Sequence, residues 1–181
     1  MELEYSILDF FQNNIRNPFL DTVMPIISLS GGYGVAIIIV FIAAIISKKH
    51  KRLASKLLSA SALSFVSCNL ILKPIVNRIR PYDLDNTIVL ISKGESDASF
   101  PSGHTFYAFA AAIVCFMYNK KLGAVMFVYA VLVALSRLYL YVHFPTDVLF
   151  GMIFGIIIGI IAYKLEDYIF SKHDDLHSKS Y

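Results

Sequence analysis

Apolar residues in this chain do not recur at the spacing of a surface helix; they come in long blocks separated by short polar joints. About five blocks are long enough to cross about 30 Å of hydrocarbon, which takes about 20 helical residues. They run Thr22–Ser47, Leu53–Asn77, Ser102–Tyr118, Leu122–Val142 and Pro145–Tyr168. Ahead of them, Leu3–Phe19 mixes Ile7, Leu8, Phe10, Phe11 and Ile15 with Glu4, Asp9, Asn13 and Arg16. That mixture suits a helix lying in the membrane interface rather than through it. The pattern predicts one domain over residues 1–181, an all-α integral membrane helical bundle. An interfacial amphipathic helix (1–20) precedes about five transmembrane helices (22–168), and a loose polar cytoplasmic tail (171–181) follows.

Composition agrees. With 57% hydrophobic and only 16% charged residues in 181, the chain cannot hide its apolar surface in a core of its own, so the bilayer must be its solvent. A net charge of +3 is too small and too local to argue for nucleic acid. Met1–Asn13 is acidic and lacks a continuous apolar run, so no cleavable signal peptide is expected. Cys68 and Cys115 each sit in an apolar block without metal-ligand company and read as buried small hydrophobes.

Basic residues at the joints orient the bundle. Lys48, Lys49, Lys51 and Arg52 join the first two blocks, Lys120 and Lys121 the third and fourth, and Lys172 and Lys179 follow the fifth. The positive-inside rule makes those ends cytoplasmic, which puts Arg78–Pro101 and the turn around His143–Pro145 on the extracytoplasmic face. Lys73, Arg78, Arg80 and Arg137 break the rule, with Lys93 and Arg16. The first four lie at or inside span ends, where charge is expensive and needs a reason. In the last block Gly151, Gly155 and Gly159 recur every four residues, a seam for close helix approach. Asp147 is one step earlier on the same stripe. The seam is therefore expected to pack within the monomer, because Asp147 must face an internal site.

Three clusters converge on the outer face. Lys73, Asn77 and Arg80 span close to two helical turns and are expected along one stripe, with Pro81 stopping the helix. Snorkelling basic residues would look similar, less so for Lys73, which lies deeper. Phe100-Pro101-Ser102-Gly103-His104 opens the third block; a serine near the N-cap followed by glycine leaves outward-facing N–H groups, a ready anion site. An ordinary capped helix with an interfacial histidine is the alternative. Ser136-Arg137, His143 and Asp147 surround the last turn, where Pro145 suits the first helical position and puts Asp147 in the first turn of that helix. A carboxylate on one imidazole nitrogen would leave the other as a free nucleophile. The rival use of His with Asp is a metal site, but the surplus of cations would repel a divalent ion and attract phosphate. Asp147 is the only acid this reading places to offset those cations, so an anionic ligand with several oxygens is implied.

Lys-x6-Arg-Pro at Lys73–Pro81, Pro-Ser-Gly-His at Pro101–His104 and Ser-Arg-x5-His-x3-Asp at Ser136–Asp147 resemble the three-part signature of the type 2 phosphatidic acid phosphatase superfamily. The superfamily includes bacterial undecaprenyl pyrophosphate phosphatases and, more distantly, vanadium-dependent haloperoxidases. The resemblance implies a membrane lipid phosphatase without metal or other cofactor. It implies His143 as the nucleophile that becomes a phosphohistidine, Asp147 as its orienting group and His104 as general acid. Lys73, Arg80, Ser102 and Arg137, with the Gly103 N–H, are implied as the phosphate cradle. Arg78 and Ser136 flank these positions and are expected to support them.

A site at the membrane edge favours a phosphate on a lipid tail that arrives sideways from the bilayer. Small size and sparse loops make the chain resemble the compact bacterial members of that superfamily. With an outward-facing site, the resemblance implies undecaprenyl pyrophosphate as substrate, with phosphatidylglycerophosphate or phosphatidic acid as alternatives. A lipid phosphotransferase would carry the same motifs, and an anion or lipid transporter would also place cations in helices. Transport, however, has no need of a His–Asp pair facing a second histidine. Within the outer loop, Ile88-Val89-Leu90-Ile91 is expected either as an apolar lip for the tail or as packing onto the helix tops.

Overall fold

The apolar blocks fold as helices. The computed structural model describes residues 2–32, 34–47, 49–85 and 87–178; Lys48 and Lys179, two of the residues used to orient the bundle, lie outside them. Helix α1 (Glu2–Phe10) continues into a π-helical turn (Phe11–Ile15), and α2 (Pro18–Gly32) is followed by α3 (Val35–Ile46). Helix α4 (Lys51–Phe65) runs through a π-helical stretch (Val66–Leu72) into α5 (Lys73–Val76), and α6 is a single turn (Pro81–Leu84). Helices α7 (Gly103–Tyr118), α8 (Lys120–Tyr139) and α9 (Pro145–Ser178) complete the chain. The Lys51–Leu84 stretch, α8 and α9 are each long and apolar enough to span a bilayer. Helices α2 and α3 meet at 50° and make a further span if counted as one, while α7 is apolar but shorter. The result is a helical membrane bundle, as the apolar blocks predict.

Helix α7 is the central post. Its buried Ala108, Ala110, Ala111 and Ala112 let neighbouring helices approach closely. The α9 seam uses this space: a Cβ on Gly155 would lie 2.4 Å from the Phe106 carbonyl oxygen, and one on Gly159 2.6 Å from that of Ala110. The seam thus packs inside the monomer, as expected. At its top the Ser102 N–H donates to the Asp147 carbonyl at 3.0 Å, pinning the start of α7 to the start of α9. At the other end Asn119 caps α8, its side chain accepting from the Lys121 and Leu122 N–H groups, so α7 turns into α8 with one residue between them. Cys68 and Cys115 are free and buried, the role expected of them.

Two expectations are corrected and a third is extended. The helix carrying Lys73 does not continue to Arg80: it ends at Val76, and Asn77 takes the left-handed conformation (φ 44°) as its C-cap. Lys73 and Arg80 therefore do not share a helical stripe, and Pro81 opens a short helix instead of closing a long one. The tail is not loose from Ser171, because α9 stays helical to Ser178. Helix α1 is more than an interfacial segment. Leu8 is buried against Tyr141 and Phe144, and Phe11 and Ile15 pack on the Tyr139–Val142 cluster, so this helix covers the turn between α8 and α9.

Candidate active site

The site lies at the end of the bundle where α5 and α8 finish and α7 and α9 begin, opposite the Lys51–Arg52 and Lys120–Lys121 ends. Three cations line it, all withdrawn from solvent: Lys73 (8% exposed), Arg80 (1%) and Arg137 (3%). The break at Asn77 brings Arg80 back towards Lys73. The Arg80 guanidinium donates from Nη1 to the Val142 carbonyl at 2.8 Å and lies 3.4 Å from His143 Nε2. Arg137 reaches Ser28 on α2 through Nη1, while its Nε has no partner among the described residues.

His143 is fully buried in the α8–α9 turn with its two nitrogens in different surroundings. Nε2 faces the cations; Nδ1 lies 3.8 Å from Asp147 Oδ2, beyond hydrogen-bond length. Asp147 is held by other partners. Oδ2 accepts from Ser99 Oγ at 2.6 Å and from the Phe144 N–H at 2.9 Å, and Oδ1 accepts from Arg78 at 2.7 Å. Ser99 Oγ also lies 3.5 Å from His143 Nδ1, between acid and ring. Arg78 is fixed in turn by Glu4 of α1 at 2.8 Å and by Thr146. The supporting part expected of Arg78 is thus seen, while the Ser136 hydroxyl only caps back onto the Val133 carbonyl. Burial, followed by the Arg137 and Arg80 charges, pushes the His143 pKa well below its ordinary value, so the ring is neutral. Next to it Tyr141 adopts a left-handed backbone (φ 59°), costly for a bulky residue and sustained here by burial of its ring against Leu8 and Phe144.

Across the site, His104 sits in the first turn of α7. Gly32 of α2 leaves it room: a Cβ there would come within 2.5 Å of His104 Nε2. Ser102 is the buried N-cap residue, but its hydroxyl pairs with Thr105 Oγ1 at 3.0 Å and does not reach the cations. Gly103 lies beside Lys73, and a Cβ added to it would stand 3.9 Å from Nζ.

Two acids occupy the middle, and the sequence pattern singled out neither. Glu95 Oε2 lies 2.7 Å from Arg80 Nη2, and Oε1 pairs with Arg137 Nη2. Asp97 Oδ1 lies 2.6 Å from Arg80 Nη2, and Oδ2 pairs with Lys73 Nζ. His104 Nε2 and His143 Nε2 each stand 3.9 Å from a Glu95 oxygen. Asp147 is therefore not the only acid offsetting the cations. Burial alone would raise the Glu95 carboxyl, but Arg137 and Arg80 overrule it and hold the group at about 2. Asp97 is held at about 2 by Lys73 and Arg80 against the same penalty. A polar loop rich in Ser, Asp and Glu reads as solvated, which is why neither acid stands out locally. Of the loop's apolar run, Ile88, Leu90 and Ile91 pack onto the helix tops and only Val89 stands clear, 78% exposed. Among the described residues no cluster of His, Cys, Asp and Glu is arranged to hold a metal.

A cavity of about 660 Å³ opens beside His104, Lys73, Glu95 and Asp97. It shares Gly31, Gly32, Asn69 and Tyr107 with an apolar groove of about 420 Å³ that continues along Ile37, Ile38 and Phe65, between α3 and α4.

Residues 52–171 match the family model described as the PAP2 superfamily. The chain is 34% identical over 88 residues to an undecaprenyl-diphosphatase BcrC of Bacillus subtilis, a match covering 49% of this chain and 45% of that protein. The chain thus spans about half the length of that relative. It is 31% identical over 169 residues to a lipid A 4'-phosphatase of Bacteroides thetaiotaomicron, covering 85% of this chain and 72% of the relative. A similar solved structure is the transmembrane PAP2-type phosphatidylglycerolphosphate phosphatase of Bacillus subtilis, with TM-score 0.75, 27% identity and coverage of 93% of this chain and 86% of that one.

Proposed function

The chain belongs to the PAP2 superfamily, and we propose that it is a membrane lipid phosphatase working through a phosphohistidine at the extracytoplasmic face. One observation carries this reading: two imidazoles from different helix ends face a single carboxylate, 3.9 Å away on each side, inside a cradle of buried cations. A phosphoryl group in that place would meet a nucleophile on one side and an acid on the other.

In the proposed reaction His143 Nε2 attacks phosphorus, forming an N–P bond as the P–O bond to the lipid breaks. His104 gives its proton to the departing oxygen. Water then attacks the phosphohistidine, His104 takes back a proton, and the N–P bond breaks to release inorganic phosphate. Lys73, Arg80 and Arg137, with the N–H of Gly103, neutralise the charge that builds on the equatorial oxygens. Asp147 keeps Nδ1 of His143 in the right tautomer through the Ser99 hydroxyl between them. This chemistry needs no metal. The apolar groove between α3 and α4 would hold the lipid tail alongside the bilayer.

As substrate we propose undecaprenyl pyrophosphate, in keeping with the diphosphatase named above. A second reading, a lipid A phosphate, is favoured by the longer match to the lipid A phosphatase. Phosphate release by purified protein in chelator, from a panel of polyprenyl diphosphate, lipid A, phosphatidylglycerophosphate and phosphatidic acid, tests both. Release without added metal and its loss in His143→Ala are expected. Activity that requires metal or survives the substitution overturns the mechanism.

A further inference from the structure

Resting on that reading of the cradle, we propose that Glu95 and Asp97 form an anionic gate. The gate selects a terminal phosphate carrying two negative charges over the singly charged phosphodiesters that crowd the surrounding bilayer.

The two carboxylates engage every cation proposed to bind phosphate: Lys73 and Arg80 through Asp97, Arg80 and Arg137 through Glu95. A substrate must therefore displace them. The burial pattern decides which side moves. The Arg80 and Arg137 side chains are 1% and 4% exposed, but those of Glu95 and Asp97 are 27% and 51% exposed. The acids can swing into water at little cost, whereas the guanidiniums are locked among helices. The segment is also seated deliberately. The Tyr82 hydroxyl donates to the Glu95 carbonyl at 2.7 Å and accepts from the Glu95 N–H at 3.0 Å. Arg80 Nε donates to the Asp97 carbonyl at 2.8 Å.

Charge sets the selectivity. Two carboxylates leaving as a phosphate dianion arrives is an exchange at constant charge. A phosphodiester brings one charge for the two it evicts, and a buried guanidinium is left uncompensated. It also offers only two unesterified oxygens, against three on a terminal phosphate. The cradle has a use for the third: Arg137 Nε is buried and has no partner among the described residues, so the carboxylates do not satisfy every donor. A site open to the bilayer without such a gate would be occupied by abundant phosphodiester lipid.

The test uses the full chain in detergent. Binding of inorganic phosphate is read from thermal stabilisation, and inhibition of lipid phosphate hydrolysis is read with phosphatidylglycerol added to the micelles. Glu95→Gln should tighten phosphate binding about tenfold, the factor by which a gate closed about nine-tenths of the time weakens apparent affinity. It should also make phosphatidylglycerol an inhibitor where the parent resists it. Tyr82→Phe leaves the cradle untouched but frees the Glu95 backbone, and should shift both readouts the same way by less. It keeps the question answerable should Glu95→Gln fold poorly. Phosphate binding that is unchanged or weaker in a folded Tyr82→Phe and in Glu95→Gln overturns the gate. If Arg137→Ala nevertheless abolishes phosphate binding, the cradle stands and the gate alone falls. If neither the parent nor a folded Glu95→Gln binds phosphate, the cradle reading itself fails and takes the gate with it.

Discussion

Ser99 donates a 2.6 Å hydrogen bond to Asp147 from a loop 48 residues away in sequence, and its oxygen stands 3.5 Å from His143. The direct His143–Asp147 separation is 3.8 Å, so the hydroxyl links the two groups. Ser99→Ala should lower kcat by about tenfold, ~1.4 kcal/mol in barrier, with KM little changed. Ser99→Thr should restore most of it. Steady-state kinetics on the three proteins check this; a loss confined to KM would show that Ser99 serves binding instead.

Arg78 balances a fully buried carboxylate. Arg78→Ala removes the 2.7 Å partner of Asp147 Oδ1 and should destabilise the protein by about 3 kcal/mol, because an unpaired buried charge remains. Glu4→Gln, which loosens Arg78 and its neighbour Thr146, should cost less in stability and still lower kcat. Thermal denaturation and turnover measured side by side decide the matter.

Gly32→Ala should separate stability from activity. Gly32 is the last residue of α2 and its backbone lies outside the left-handed region, so alanine fits there and melting should change little. The new methyl would lie 2.5 Å from His104 Nε2, at the tip of a side chain that can rotate away. Turnover should fall as His104 leaves its place, and an unchanged kcat would remove His104 from the proposed reaction.

Gly155→Ala should do the reverse. Its Cβ would meet a backbone oxygen, Phe106 O, at 2.4 Å, and no rotamer relieves that. A loss of about 3 kcal/mol is expected, as for other overpacked cores. Denaturation of the purified variant in detergent measures it.

Burial and the neighbouring guanidiniums lower the His143 pKa, so the folded protein resists protonating a ring that the unfolded chain protonates freely. The stability held in the neutral ring is present above the unfolded value near 6.5 and is lost as pH falls below it. Parent protein should therefore lose more melting temperature than His143→Gln between about pH 7 and about pH 5. Equal losses in the two proteins would contradict a neutral buried His143.

Much of this protein is written in its sequence. Block lengths of apolar residues determine a helical membrane bundle, since only helices satisfy their own backbone in lipid. The three motifs contain both histidines, Asp147 and all three cradle cations, because charge and glycine inside apolar blocks stand out against so uniform a background. The Gly151–Gly159 seam was legible for the same reason. What tertiary structure alone decided is how those pieces meet. The left-handed turn at Asn77, not a helical stripe, brings Arg80 to Lys73. Helix α1, read as interfacial, contributes Glu4 to the support of Asp147. Ser99, Glu95 and Asp97 carry no periodicity and no local signature; a polar loop residue has the same sequence appearance whether it faces water or a buried guanidinium. Only the fold, by placing that loop over the cradle, gives them partners.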